Sequence, residues 1–572
     1  MKILVAKTAG FCMGVRRAVE LVLDTANRAS GPVYTFGPLI HNPQVMGILA
    51  EKGVTVLSEV PKTGAGTVVI RAHGVTPEVK DALAAAGFTV VDATCPRVIK
   101  VQTLLSGHVG KGYIPVIVGD FDHPEVQGLL GHAGGNGHVV ASAAQVAQLP
   151  DAEKVMVVAQ TTQDARLFQE ICDAVKARYK EVKVFDTICD STARRQEEVE
   201  NLAREVDALV VVGGKSSGNT RRLYQIAARE GAQAYLVETD QELDLEALAR
   251  ARRVGITAGA STPTWIIRRV RRALETRKTG RDLLFSAVRA LILTNVYIAL
   301  GAACLCLAAL TLLDRDILPA NLVVAFCFVF SIHTFNNFIG NNAYRYNDPD
   351  RALFYQKYRK ALLAVATAAL LVGLGAAFFL GHAVFVLLAG VTVAGLLYNV
   401  PIVPGTMPLS RKYPRIRAIP GSKTIGVSMA WAVACALLPA VSTKTLCTGP
   451  GGLVVVLWVG AMVFCRSALF DLLDVQVDRI VGQETIATWL GDRRTLVLLR
   501  RVIAGSLALL LLASIAGAVS PAGFLLLVCS ALPALVISGL SKGSLVPGYR
   551  LEFLVDTNFL LAGLLAALWL SM

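Results

Sequence analysis

Three cysteines stand at positions where a chain can readily build a reactive centre. Cys12 follows the β-rich run KILVA, Cys95 ends VVDATC and Cys189 ends VFDTIC, and a helical pattern begins beside each. A thiolate at such a turn is stabilised by free backbone N–H groups and the helix dipole. The carboxyl end of a strand also faces the crevice where α/β proteins bind ligands. Three such thiolates have three readings: they hold three irons of a 4Fe-4S cube and leave the fourth open to substrate, they bind zinc with a histidine, or they are structural cysteines. No CxxC pair supplies local geometry, so spacing leaves these open. A second candidate centre is DLLDVQVDRI, where Asp471, Asp474 and Asp478 stand three and four residues apart. Carboxylates so spaced share a helical face and can hold Mg2+ against a diphosphate, or they are solvated charges at a helix end.

The elements that must position the cysteines alternate. KILVA, TVVIRAHG, FTVVDATC, IPVIVGD, KVMVVAQTT, VKVFDTIC, ALVVVGGKS and VGITAGAS read as strands, with helices from Val15, Arg97, Thr192 and Thr220. This alternation predicts an α/β domain with largely parallel sheets. The likeness of VVDATC to VFDTIC suggests repeated α/β lobes. Cys172 falls inside a helical pattern after Leu167 and Phe168 and is read as structural.

Beyond about Arg281 the composition changes. A chain of 572 residues is too long for one core. Long apolar runs, near 284–312, 320–340, 361–380, 383–400, 424–441, 451–470, 498–518, 521–540 and 552–571, raise the mean hydropathy to +0.54. Each approaches the roughly 20 residues that cross about 30 Å of hydrocarbon, which predicts an all-α polytopic membrane domain of about nine helices. The domains are therefore 1–280, ending in a basic linker 266–282, and 283–572. Loops after even-numbered spans are rich in Arg and Lys: Arg345, Arg351, Lys357, Arg359 and Lys360, then Arg411, Lys412, Arg415, Arg417 and Lys423, then Arg479, Arg493 and Arg494, then Lys542 and Arg550. Positive charge marks the cytoplasmic side, so the first domain is expected in the cytoplasm of a multi-pass inner-membrane protein. Much of the net charge of +14 lies in these loops and in the linker, facing anionic lipid, and calls for no nucleic acid. No signal peptide is expected, because Lys7 and Gly10 interrupt any apolar core at the start. Of the eleven cysteines, Cys304, Cys306, Cys327, Cys435, Cys465 and Cys529 lie in apolar runs and read as small hydrophobes; Cys447 falls in a short outer loop.

Taken in order, GFCMGV, IHNPQV, RAHGVTP, DATCP, DHPEVQG, QTT, DTIC, GGKSSGNTRRL and TAGASTP span almost all of residues 1–265. The series resembles the LytB/IspH family. The resemblance implies α/β lobes around a central 4Fe-4S cluster and reductive dehydroxylation of (E)-4-hydroxy-3-methylbut-2-enyl diphosphate to isopentenyl and dimethylallyl diphosphate. It also implies a separate ferredoxin or flavodoxin as electron donor. Carried over by motif, Cys12, Cys95 and Cys189 ligate the cluster. His41, His73, His123, Ser217, Asn219 and Ser261 surround the diphosphate, which needs several donors rather than one clamp. Glu125 delivers a proton at the hydroxyl-bearing carbon, with Thr161, or its neighbour Thr162, orienting it. Gly218 stands where the family often has a second serine. GGKSSGNT is not a Walker loop, because Leu209 occupies the position of its first glycine.

The spans and their basic loops resemble the UbiA family of intramembrane prenyltransferases, most sharply in DLLDVQVDRIVGQETIATWLG, which resembles that family's second aspartate motif. In FNNFIGNNAYRYNDPDR the trailing Asn347, Pro349 and Arg351 set the register, but the first-motif aspartates fall on Asn337, Gly340 and Tyr344. Three functions follow: a reductase tethered to a non-catalytic UbiA-like domain, a bifunctional reductase and Mg2+-dependent prenyltransferase, or a non-enzymatic iron-sulfur redox sensor.

Overall fold

A computed structural model describes residues 1–29, 31–279, 283–339, 348–398, 416, 419–444, 450–481, 483–541 and 548–572. Gly340, Tyr344 and Asn347 of the altered motif, Cys447, and the loop cations Arg345, Arg411, Lys412, Arg415, Arg417 and Lys542 lie outside the described residues. The chain forms two compact units, Met1–Lys278 and Thr279–Met572.

The first unit holds three four-stranded sheets whose paired strands are all parallel. One combines both ends of the unit, in the order β1 (Lys2–Val5), β12 (Arg253–Ala258), β10 (Ala208–Val212) and β11 (Gln233–Val237). The second is β3 (Val54–Leu57), β2 (Val33–Phe36), β4 (Thr67–Ile70) and β5 (Thr89–Asp92). The third is β7 (His138–Val140), β6 (Ile114–Val118), β8 (Lys154–Ala159) and β9 (Glu181–Val184). Central strands such as β10, ALVVV, are buried at every position, as parallel strands covered on both faces must be. The sequence pattern reveals eight of these twelve strands. The four it misses, β2, β3, β7 and β11, are three to five residues long, and three of them lie at sheet edges.

Helices α1 (Met13–Arg28), α2 (Pro43–Glu51), α3 (Pro77–Ala85), α4 (Pro96–Val109), α5 (Pro124–Gly131), α6 (Ala165–Arg178), α7 (Asp190–Glu205), α8 (Gly218–Arg229), α9 (Leu245–Leu248) and α10 (Thr264–Thr279) connect the strands. Those carrying the cysteines start one or two residues earlier than the apolar pattern indicates. Proline at N1 of α4 fits because that position has no N–H bond to lose. Cys172 is buried in the core of α6.

The second unit is helical. Among the described residues seven helices are long and apolar enough to cross a membrane: Pro319–Phe338, Arg359–Leu380, Ser422–Ser442, Gly451–Arg479, Asp492–Ile515, Ala522–Ser541 and Tyr549–Ser571. Two runs depart from the expected nine spans. The run near 284–312 is bent by 75° between Ser286–Leu293 and Val296–Leu312, at Asn295, whose φ of 61° interrupts the helix. The run near 383–400 gives only the shorter helix His382–Leu397. Bare apolar faces, including Leu371, Phe379, Ile515 and Leu535, are large enough to demand a hydrocarbon solvent, and the protein is a multi-pass membrane protein. Small residues set close helix approach: a Cβ at Gly563 would come within 2.5 Å of the Cys304 side chain.

Candidate functional site

Three of the first unit's four cysteines are the N-caps of their helices: Cys12 of α1, Cys95 of α4 and Cys189 of α7. They sit in the loops that follow the strands, since β5 stops at Asp92 and β9 at Val184. The Cys12 Sγ accepts the Val15 amide at 3.4 Å. At Cys95, burial pushes the thiol up while the amides of Arg97 and Val98 pull it down, and Cys12 and Cys189 are close enough to raise it further. A Cβ at Gly14 would lie 2.5 Å from the Cys95 Sγ, so any larger residue would intrude on the thiol's space.

The amides of these cysteines tie the centre to its surroundings. Cys12 donates to the Ala260 carbonyl at 3.1 Å, Cys95 to Ala72 at 2.9 Å and Cys189 to Thr161 at 3.0 Å. Ala260 precedes Ser261, Ala72 precedes His73, and Thr161 is itself a candidate. Each thiol is thus held one backbone bond from a residue singled out for the substrate side.

The structure brings the three histidines together. His41 and His73 have ring centroids 4.8 Å apart, His73 and His123 5.3 Å, and His41 and His123 5.6 Å. Their nitrogens lie within 4.8 Å of one another, a spacing that could also hold a metal ion. The Nδ1 of His123 caps α5 by accepting the Glu125 amide at 3.1 Å, so a neutral ring carries its proton on Nε2. Burial lowers the pKa of all three, that of His123 to about 4. His41 is lowered further by Arg71 and Arg221. Buried His41 Nε2, His73 Nδ1 and Asn219 Nδ2 have no hydrogen-bond partner among the described residues. Ser261 donates its hydroxyl to the His41 carbonyl at 3.3 Å, and Ser217 caps α8. A Cβ at Gly218 would meet His123 at 3.8 Å, ordinary contact, so a serine would fit here facing the histidines.

Glu125 is 2% exposed. Its Oε1 accepts the Thr161 amide at 2.6 Å and its Oε2 the Thr161 hydroxyl at 2.9 Å. Thr162 instead accepts from the Gln160 side chain at 2.9 Å. Burial raises the Glu125 pKa to about 7, against the lowering effect of both Thr161 bonds. The carboxyl is thereby poised to lose a proton near neutrality.

Sequence reasoning missed two residues on α7. Arg195, 3% exposed, donates to the Gly10 carbonyl at 2.7 Å and the Ala258 carbonyl at 3.2 Å, with Cys12 and Cys189 among its titratable neighbours. Glu198, one turn on, accepts the Lys7 and Thr8 amides at 2.6 and 2.8 Å. Together they grip the loop that presents Cys12. Their only signal is the RRQEE stretch after DTIC, which reads as a solvated helix face.

In the second unit Asp471 and Asp478 are buried and Asp474 is partly so. Lys423 Nζ lies 2.9 Å from Asp471 Oδ1, and the Thr424 hydroxyl donates to Oδ2. Asn337, at a first-motif position, donates to the Tyr355 hydroxyl at 2.8 Å and to the Asn295 amide oxygen at 3.3 Å. Asp348 accepts the Arg351 amide and the Tyr549 hydroxyl, and Asp350 pairs with Arg289. Arg351 also binds both oxygens of Glu552, and Arg466 both oxygens of Asp556.

Three parallel α/β lobes, three cysteines at helix N-cap positions and a cluster of three histidines define an α/β protein with a cysteine site between its lobes. Residues 3–275 match the LytB protein family, and through this half the chain belongs to that family. A 4-hydroxy-3-methylbut-2-enyl diphosphate reductase of Geobacter sulfurreducens is 47% identical over 285 residues, covering 47% of this chain and 94% of its own. A solved (E)-4-hydroxy-3-methyl-but-2-enyl diphosphate reductase is 44% identical, covering 48% of this chain and 99% of its own at a TM-score of 0.39. A UbiA homolog from Aeropyrum pernix K1 covers 47% of this chain and 97% of its own, 15% identical at a TM-score of 0.37.

Proposed function

We propose that residues 1–280 catalyse reductive dehydroxylation of (E)-4-hydroxy-3-methylbut-2-enyl diphosphate to isopentenyl and dimethylallyl diphosphate, the last step of the methylerythritol phosphate isoprenoid pathway. This domain works in the cytoplasm, tethered to a UbiA-like inner-membrane half that is non-catalytic. The observation carrying the proposal is the direct bonding of each cysteine amide to a loop bearing His73, Thr161 or Ser261. The reaction takes up two electrons and two protons, breaks one C–O bond and releases water.

Cys12, Cys95 and Cys189 are the ligands of a 4Fe-4S cluster. Their convergence from three lobes and the amide donors around the sulfurs suit such a group. When bound, the cluster supplies electrons and leaves one iron without a protein ligand. The unpartnered donors of His41, His73 and Asn219, with His123 Nε2, Ser217 and Ser261, bind the diphosphate. Anion binding beside the rings raises their lowered pKa values, so the histidines gain charge as the substrate arrives. Glu125, held by Thr161, gives its proton to the departing hydroxyl oxygen. Its burial keeps water from competing for that proton. Electrons come from a separate ferredoxin or flavodoxin.

The test is anaerobic purification and assay with a chemical reductant, comparing the wild type with Cys95→Ser and Glu125→Gln. Turnover in the wild type that fails in both variants is expected. A bound cluster with no wild-type turnover would overturn the enzymatic role in favour of a redox sensor.

A further inference from the structure

The buried carboxylates of the membrane half already hold a cation, and it is the protein's own. The helix Gly451–Val481 carries Asp471, Asp474 and Asp478 on one face, and the first turn of the helix Ser422–Ser442 lies against it. From that turn Lys423 puts its ammonium 2.9 Å from Asp471 Oδ1, while the Thr424 hydroxyl occupies Oδ2. Asp471 is 1% exposed and both its oxygens are engaged. Asp478 and Asp474 are the next charged neighbours of Lys423.

The residues that would complete a metal site are spent elsewhere. Asn337 belongs to a buried neutral network in which the Asn295 amide donates to the Thr334 hydroxyl at 3.1 Å and the Tyr355 hydroxyl at 2.7 Å. Gly340 and Tyr344 offer no carboxylate by their chemistry. Asp348 caps a helix beside Arg351, and Asp350 pairs with Arg289. Mg2+ requires near-octahedral oxygen ligation at about 2.0–2.1 Å. Here it would first have to displace the Lys423 ammonium from a fully buried carboxylate that the ammonium neutralises.

We propose that Lys423 is the resident cation of this centre, taking the place of a divalent metal. This deepens, and rests on, the reading of the membrane half as UbiA-like and non-catalytic. Lacking a divalent ion to neutralise the two phosphates, the centre does not take an allylic diphosphate as a ligand. A one-charge ammonium on a flexible stem stabilises Asp471 and offers no Lewis acid.

The experiment uses the full-length protein, purified anaerobically in detergent, with Mn2+ as an EPR-visible stand-in for Mg2+. Wild type and Asp471→Asn are expected to bind Mn2+ identically. Lys423→Gln is expected to gain one Mn2+ site, which adding Asp471→Asn removes. Each single variant should lower the Tm and the double variant should recover part of the loss, while Mg2+ leaves the wild-type Tm unmoved. Mn2+ binding by the wild type that Asp471→Asn abolishes would overturn the proposal. So would a folded Lys423→Gln protein that gains no Asp471-dependent site. If the variants fail to fold, a Mg2+-dependent rise in the wild-type Tm overturns it and an unmoved Tm upholds it. Prenyl transfer by the wild type in Mg2+ would separately overturn the non-catalytic reading of the membrane half; metal binding without transfer would overturn only the lysine assignment.

Discussion

Both halves bury polar and charged groups, but they leave them in different states. Around the thiols, His41 Nε2, His73 Nδ1 and Asn219 Nδ2 are buried without hydrogen-bond partners among the described residues, and burial raises the Glu125 pKa to about 7. In the membrane half the buried charges face one another: Arg351 with Glu552, Arg466 with Asp556, Lys423 with Asp471. Unpaired donors cost free energy that a binding partner recovers, whereas an ion pair offsets part of its own burial cost. The contrast is that between buried donors left without hydrogen bonds and buried charges held in ion pairs.

The comparison breaks most readily at Glu125. Glu125→Gln is expected to cut turnover by about 10²- to 10⁴-fold with KM nearly unchanged, since it removes only the proton donor. Wild-type turnover should fall as pH rises through about 7, where Glu125 ionises. Stability runs the same way. A carboxyl whose pKa rises on folding favours the fold at low pH, and that contribution is lost between its ordinary 4.5 and about 7. At pH 8 the Gln variant should therefore show the higher Tm despite its lost activity, measured by thermal unfolding of the purified protein.

The opposite change in the membrane half should cost stability and leave the chemistry intact. Asp556→Asn strands Arg466 and is expected to destabilise the protein by about 3–5 kcal/mol, read as a lower Tm in detergent. The kcat of folded protein should stay at the wild-type value.

A subtler effect is expected at Arg195. Replacing this buried cation by Met removes positive charge beside Cys12 and Cys189 and loosens the Gly10 carbonyl. The cluster should become harder to reduce by about tenfold in equilibrium, which is 59 mV for a one-electron couple. An EPR-monitored redox titration tests this; an unchanged potential would make Arg195 purely a loop clamp.

The smallest effect is expected at Gly218→Ser. The added side chain sits in ordinary contact with His123, so KM should fall by about 3- to 10-fold, the value of one ordinary hydrogen bond, with kcat little changed. Steady-state kinetics against substrate concentration tests it. A higher KM would mean that the hydroxyl obstructs the histidines.

The sequence by itself determined what depends on neighbours along the chain. Cysteines beside helix starts, eight of the twelve strands, the apolar runs and the ordered motifs rest on capping chemistry and short periodicities, which residue identity sets directly. Strands such as β3 and β7 escaped because four and three residues are too few to show a period of two. The break at Asn295 escaped because a left-handed residue inside an apolar run leaves no compositional mark. Tertiary structure alone decided the pairings: Thr161 rather than Thr162 on Glu125, Arg195 on a carbonyl 185 residues away, and Lys423 rather than solvent beside Asp471. Those choices turn on which groups share a buried, low-dielectric space. There a single contact separates a paired charge from an unsatisfied one.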